Sequence, residues 1–188
     1  MSINRTIRKR QSEVQKSGED WEIFVKDFIN KELTKRSSKL KVIKGKEIQK
    51  GSALGEKLSI KVGSTDSQKI WGDVDLVVIK ENKEPLAVIS CKVSLHGRFS
   101  ETLFYAVVLK DMIDDLKVLF ATPDKGRQQK TENWQSEWGS EEKPTKDRLL
   151  GSRYLDAIYI YNKKTSLGGK VKSLKELPED LIKWSMSF

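Results

Sequence analysis

The sequence predicts an α/β domain in which a small mixed sheet carries helices on its faces, and three observations predict it. Trp21, Phe24, Val25, Phe28, Ile29 and Leu33 recur at the spacing of one helix face. Residues 71–92, WGDVDLVVIKENKEPLAVISCK, read as two apolar strands around a polar turn. Further strand-like runs, KVLFATP and YLDAIYIYN, alternate with helix-like stretches, the order that stacks helices on a sheet. A chain of 188 residues suffices for one sizeable core, so one domain is expected over 1–188. Its core runs from about 18 to 162, after a basic segment at 1–17 and before a closing helix at about 173–186.

The lead NRTIRKRQSEVQKSG is basic and amphiphilic, and it suits a helix, a frayed end or a strip along a phosphate backbone. The first firm helix follows in EDWEIFVKDFINKEL. At about 100° per residue Glu22 lies in line with Ile29 at the edge of the apolar stripe, while Glu19 turns towards water. Glu22 is therefore the acid placed to reach a cleft. KLSIKVG alternates weakly, as an edge strand does. After the 71–92 hairpin, SETLFYAVVLKDMIDDL reads as a second helix with Ser100 as N-cap and Glu101 in its first turn. KVLFATP is a strand ended by Pro123, and residues 124–153 show no clear period. YLDAIYIYN is a further strand, and SLKELPEDLIKWS a helix that starts or breaks near Pro178.

Composition removes whole mechanisms. One cysteine, Cys91, and one histidine, His96, cannot build a disulfide, a His-based zinc site or a thiolate cluster. Gly168-Gly169-Lys170 lacks the upstream glycine of a phosphate-cradling loop. With no apolar run of membrane length and no signal-type start, the expected setting is the cytoplasm, with no membrane partner. The formal charge of +9 favours an acidic partner, above all nucleic acid, and most of the excess lies in the first fifty residues. Catalysis would rest on carboxylates, lysine or a hydroxyl.

Residues 71–92 hold those groups. Alternation puts Asp73, Asp75 and Val77 on one side of the first strand, and Val88, Ser90 and Lys92 on one side of the second. With ENKE as the turn, Asp75 falls opposite Ser90 and Asp73 opposite Lys92, at a Cβ separation of about 5 Å. A loop one residue longer or shorter sets the aspartates against Ile89 and Cys91 instead. One reading is a plain ion pair at a solvated strand end, worth about 0.2–1 kcal/mol. The other is a site for a hard divalent cation. Carboxylates suit Mg²⁺, and a neighbouring lysine orients or deprotonates an attacking water.

Asp73, followed seventeen positions later by Ser90-Cys91-Lys92 on an antiparallel strand, resembles the signature of the PD-(D/E)XK nuclease superfamily, the core of most Type II restriction endonucleases. The resemblance spans about residues 18–123 and implies a restriction-endonuclease-like α-β-β-β-α-β core. It also implies Mg²⁺-dependent hydrolysis of phosphodiesters in double-stranded DNA, in a prokaryotic cytoplasm. Two positions depart from the pattern. Gly72 stands where proline is usual, and Ser90 where an acid is usual. Ser-x-Lys variants recover the acid from the following helix, which points to Glu101, although the helix dipole alone favours an acid there. The implied metal ligands are Asp75, Asp73 and Glu101. The implied catalytic set adds Ser90, Lys92 and Glu22, whose role is a second metal, a water, or only the end of an apolar stripe. The chain would act as a homodimer or as a heterodimer with a DNA-recognition subunit. Two other functions stay open: a structure-specific repair or recombination nuclease, and a non-catalytic basic DNA-binding protein.

For DNA contact, Arg5, Arg8, Lys9 and Arg10 form the expected phosphate patch. Arg98, Arg127, Gln128 and Lys130 are side chains of the type that reads phosphates or base edges, with Gln129, Asn133 and Gln135 nearby. Charge within 124–153 is nearly balanced, so a solvated insertion pinned by Trp134 and Trp138 is an equal reading.

Overall fold

A computed structural model describes residues 3–62, 69–72, 74–95, 99–127 and 134–187, with side chains described from Lys16 onward. Helix α1 (Ile3–Lys35) takes in both the apolar stripe and the basic lead, so Arg5, Arg8, Lys9 and Arg10 lie on its first turns, their side chains outside the described residues. There follow β1 (Lys41–Lys44), a 3₁₀ turn at Gly45–Glu47, α2 (Ala53–Leu58), β2 (Ser59–Lys61) and β3 (Lys69–Trp71). Strands β4 (Leu76–Ile79) and β5 (Pro85–Cys91) form the hairpin, then come α3 (Phe99–Met112) and β6 (Lys117–Thr122). Helix α4 (Lys146–Tyr154), β7 (Ala157–Ile160), β8 (Val171–Ser173), a 3₁₀ turn and α5 (Leu177–Met186) complete the chain.

The main sheet runs β1-β4-β5-β6-β7-β8, antiparallel from β1 to β5 and parallel from β5 to β8. Two cores flank it. Leu76, Val78, Ala87, Ile89, Leu119, Ala121 and Tyr159 pack with Trp21, Val25, Ile29 and Leu33 of α1 and with Leu177 and Leu181 of α5. Val77, Val88, Val118, Phe120, Ile158 and Ile160 pack on the other face with Phe99, Ala106 and Leu109 of α3 and with Trp138. Both faces are covered, so the strands are continuously apolar rather than alternating.

The hairpin register is the expected one, with Leu76 paired to Ile89, Val77 to Val88 and Val78 to Ala87, until a bulge at Val78/Ile79 sets Ile79 against Pro85. Two expectations are corrected, and the segment without a clear period is found to hold a helix. KLSIKVG does not edge the main sheet: its Ser59–Lys61 portion is β2, which pairs with β3 in a separate ribbon. The edge is β1, from a Lys-rich stretch whose alternation was too short to stand out. Ser100 is not an N-cap, because α3 already begins at Phe99. Residues 124–153 contain α4, capped by Thr145 accepting from the Arg148 N–H, and Asp124 pins described residues around it. The buried Asp124 carboxylate accepts from Gly126 N–H, Glu137 N–H, Ser136 Oγ–H and Thr165 Oγ1–H at 2.5–3.2 Å, and its backbone takes a positive φ of 48°. Among the described residues no helix is long and apolar enough to cross a membrane.

Trp138 is fully buried, with T-shaped contacts to Phe99 and Phe120 at centroid distances of 5.4 and 5.7 Å. Trp138→Ala is expected to cost about 3–5 kcal/mol of stability, read as a lower midpoint in urea unfolding.

Candidate active site

The site forms where β1, the approach to β4 and the end of β5 meet under α1. Gly45 closes β1 and donates its N–H to the Asp75 carbonyl at 2.8 Å. A Cβ at position 45 would lie 2.0 Å from the Val74 carbonyl oxygen, so only glycine lets the two backbones approach this closely. Asp75 is thereby fixed just ahead of β4. Its carboxylate accepts from the Cys91 N–H at 2.6 Å and from Lys92 Nζ at 3.0 and 3.3 Å. Lys92 is buried, 9% exposed, and its own N–H donates to the Ala121 carbonyl at 3.1 Å, which ties the lysine to the end of β6. A buried charge is stable here only because its partner is buried beside it.

Helix α1 supplies the second acid. Trp21 Nε1–H donates to the Ala121 carbonyl at 3.1 Å, setting the rotation of α1 over the strand ends. Its neighbour Glu22 is mostly buried, with Oε1 at 3.5 Å from Lys44 Nζ of β1. That distance is an ion pair without a hydrogen bond, and buried Oε1 has no hydrogen-bond partner. Burial pushes the Glu22 carboxyl above its ordinary value, and the negative charge of Asp75 adds to this, while Lys44 opposes both. The Cys91 thiol is raised well above its ordinary value by burial first and by Asp75 and Glu22 next, which keeps it protonated and excludes it as a nucleophile. The two acids are therefore close enough to feel one another's charge.

Of the expected set the structure joins Asp75 to Lys92 by direct contact, with Glu22 within electrostatic reach of Asp75. Ser90 is turned away: it is buried against α3, with its hydroxyl 3.0 Å from Thr102 Oγ1. Although the register is as expected, Asp75 lies outside β4, and its side chain reaches along to the Cys91 N–H and Lys92 instead of across to Ser90. Glu101 is exposed in the first turn of α3, and no hydrogen bond or ion pair links it to Asp75 or Lys92. An acid at that position is also favoured by the helix dipole. Asp73, His96, Arg98, Gln128, Gln129, Lys130 and Asn133 lie outside the described residues. Arg127 is exposed and its N–H is held by the Gln135 carbonyl at 2.8 Å. Lys44, buried at 8% exposure, was not anticipated. Its signal was the alternation of KVIK before Gly45, which places Val42 and Lys44 on one side of a strand.

Among the described residues no three His, Cys, Asp or Glu side chains form a ready cage for a metal ion. Asp75 and Glu22 nonetheless fit a hard cation of the Mg²⁺ type, which takes one or two carboxylates and completes its shell with water and phosphate oxygens. The unbonded Glu22 Oε1 is the observation in favour.

The family profile described as BsaWI restriction endonuclease type 2 matches residues 32–180, a stretch that includes Lys44, Asp75 and Lys92 and begins after Glu22. A solved structure, described as the crystal structure of specific restriction endonuclease AgeI-DNA complex, superposes with a TM-score of 0.70 at 20% identity, over 93% of this chain and 69% of that one. At that identity the likeness is one of fold. No curated protein matches the chain in sequence.

A carboxyl group whose native pKa lies above its unfolded value of 4.5 binds protons more readily in the folded chain, so it costs stability as pH rises through the native value. Glu22→Gln is therefore expected to melt at a higher temperature than the unsubstituted chain at about pH 8, with the gap closing below about pH 4.5, followed by thermal unfolding across pH. A variant that melts lower at pH 8 would show that the Lys44 pair outweighs burial.

Proposed function

The chain belongs to the BsaWI restriction endonuclease type 2 family, which makes it a site-specific deoxyribonuclease, and on that premise we propose that it hydrolyses phosphodiesters of double-stranded DNA with Mg²⁺ at the Asp75–Lys92–Glu22 site. The observation that carries this reading is the buried contact of Lys92 Nζ with the Asp75 carboxylate at 3.0 Å beside a second, incompletely bonded acid. Asp75 and Glu22 would hold the ion, with Asp73 as a further ligand or a partner to one. When bound, Mg²⁺ would offset the charge of the scissile phosphate and make a water more acidic. Asp75 is held for that task by the Cys91 N–H, which fixes the carboxylate without neutralising it. Lys92 Nζ, anchored by its backbone to β6, orients the attacking water and takes part in removing its proton.

For DNA contact, the basic first turns of α1 with Arg5, Arg8, Lys9 and Arg10 would neutralise phosphates, while Arg98, Arg127, Gln128 and Lys130 would read phosphate or base edges. One site serves one strand per engagement, so cleavage of both strands calls for a homodimer or for a heterodimer with a DNA-recognition subunit. Exposed apolar side chains on α3 and α4, Phe104, Val107 and Leu149, support a protein partner on that side. The enzyme would act in a prokaryotic cytoplasm.

Plasmid DNA incubated with the full chain is expected to give discrete fragments with Mg²⁺ and none with EDTA. Lys92→Ala is expected to lower the cleavage rate by about 10²–10⁴-fold while the protein still retards DNA in a gel. Glu101→Gln is expected to cut at the unsubstituted rate. Cutting directed to junctions or flaps, or full activity in Lys92→Ala, would sink the assignment.

A further inference from the structure

Lys44 is a buried cation paired with Glu22, the acid within electrostatic reach of Asp75, and nothing in the reaction just described uses it. Two features separate it from an ordinary structural ion pair. Its contact with Glu22 stays open at 3.5 Å, and the buried Glu22 Oε1 is left without a hydrogen bond. Elsewhere in the same molecule a structural pair closes fully: Lys172 Nζ lies 2.7 Å from the Asp180 carboxylate, which also accepts from the Tyr159 hydroxyl at 2.7 Å. Closed charge-assisted bonds have about this length. At Glu22 the same types of group are close enough to neutralise one another and too far apart to satisfy one another.

We propose that Lys44 is a built-in counter-ion that occupies the charge, and not the coordination sites, of Glu22 until a divalent cation displaces it. The proposal rests on the metal-dependent reading of the site. Glu22 and Asp75 are each paired with one buried lysine, Lys44 and Lys92, and Lys46 adds a weaker attraction on Glu22. Without Lys44 the charge of Glu22 would lose its nearest compensating cation and would repel an approaching phosphate more strongly. With Lys44 that repulsion is reduced in the metal-free site, and the incoming cation must overcome the repulsion of the Lys44 ammonium group close to its ligand. Lys44 is thus a positioning residue. It sets how much free cation the enzyme requires and holds Glu22 in place without closing it off. Its side chain is kept in reach because Val42 is buried on the same side of β1, while Gly45 next in the chain is locked to Asp75.

The test uses Tb³⁺, excited through the protein's tryptophans and displaced by Mg²⁺, on the full chain. Lys44→Met is expected to bind Tb³⁺ about tenfold more tightly than the unsubstituted chain, about 1.4 kcal/mol. Its retention of DNA in EDTA is expected to fall. Lys44→Arg, which keeps the charge, is expected to bind Tb³⁺ as the unsubstituted chain does, and Glu22→Gln is expected to erase the gain when combined with Lys44→Met. A tighter cation site is a change that mere loosening of the fold does not produce. Equal or weaker Tb³⁺ binding in folded Lys44→Met overturns the proposal. If Lys44→Met and Lys44→Gln both fail to fold by circular dichroism, Lys44 is a structural residue and the proposal is again overturned. If the unsubstituted chain shows no Tb³⁺ signal that Mg²⁺ displaces, the metal-dependent reading itself fails along with it.

Discussion

The contact of the Asp75 carboxylate with the Cys91 N–H and Lys92 Nζ governs the rest of the site. A carboxylate pinned by a backbone N–H keeps its charge and loses its freedom, which is what a metal ligand needs. Three separate strands supply the clamp: β1 through the Gly45 N–H, β5 through Cys91 and Lys92, and β6 through the Ala121 carbonyl that receives the Lys92 N–H. A relative shift of these strands would change the distance between the carboxylate and the lysine. The covered sheet, packed on both faces, is the device that prevents such shifts.

Helix α1 is docked on the same constraint. The Ala121 carbonyl accepts from both Trp21 Nε1–H and the Lys92 N–H, so one backbone oxygen positions the helix that carries Glu22 and the strand end that carries Lys92. Burying Glu22 costs free energy, as its raised carboxyl pKa records, and the deep apolar contacts of Val25, Ile29 and Leu33 offset that cost. Charge is concentrated at a place where stability alone would not put it. The contrast with Asp180 is instructive. There the carboxylate is saturated by Lys172 and Tyr159, and burial with that carboxylate pushes the tyrosine phenol far up, the mark of a closed structural network.

The superposition on the AgeI complex is one of fold, and in this chain an antiparallel unit β1-β4-β5 joins a parallel unit β5-β6-β7-β8 at the strand that leads into Lys92. Beside that strand β4 begins only after Asp75 on one flank, and β6 runs on to Thr122 on the other. The described parts of the segment between β6 and α4 are held by the Asp124 carboxylate and by Trp138.

Much of this was legible in residue order alone. The helical spacing of Trp21 to Leu33, the apolar runs of β5, β6 and β7, and the polar turn after Ile79 fixed the class of fold, the hairpin register and the candidacy of Asp75, Lys92 and Glu22, because local periodicity reports which side chains share a face. Short elements escaped: β1 and β8 have four and three residues, and α4 lies in a charged segment whose apolar face is narrow. Three decisions belonged to tertiary structure. Ser90 went to Thr102 and Glu101 to solvent, and Lys44 entered from a strand some thirty residues upstream of Asp75. Sequence spacing states which groups are neighbours along a strand. Whether a carboxylate meets the next strand's lysine, its N–H or its serine depends on where the strand ends and how far the adjoining backbone comes in, and both are set by packing that no local pattern carries.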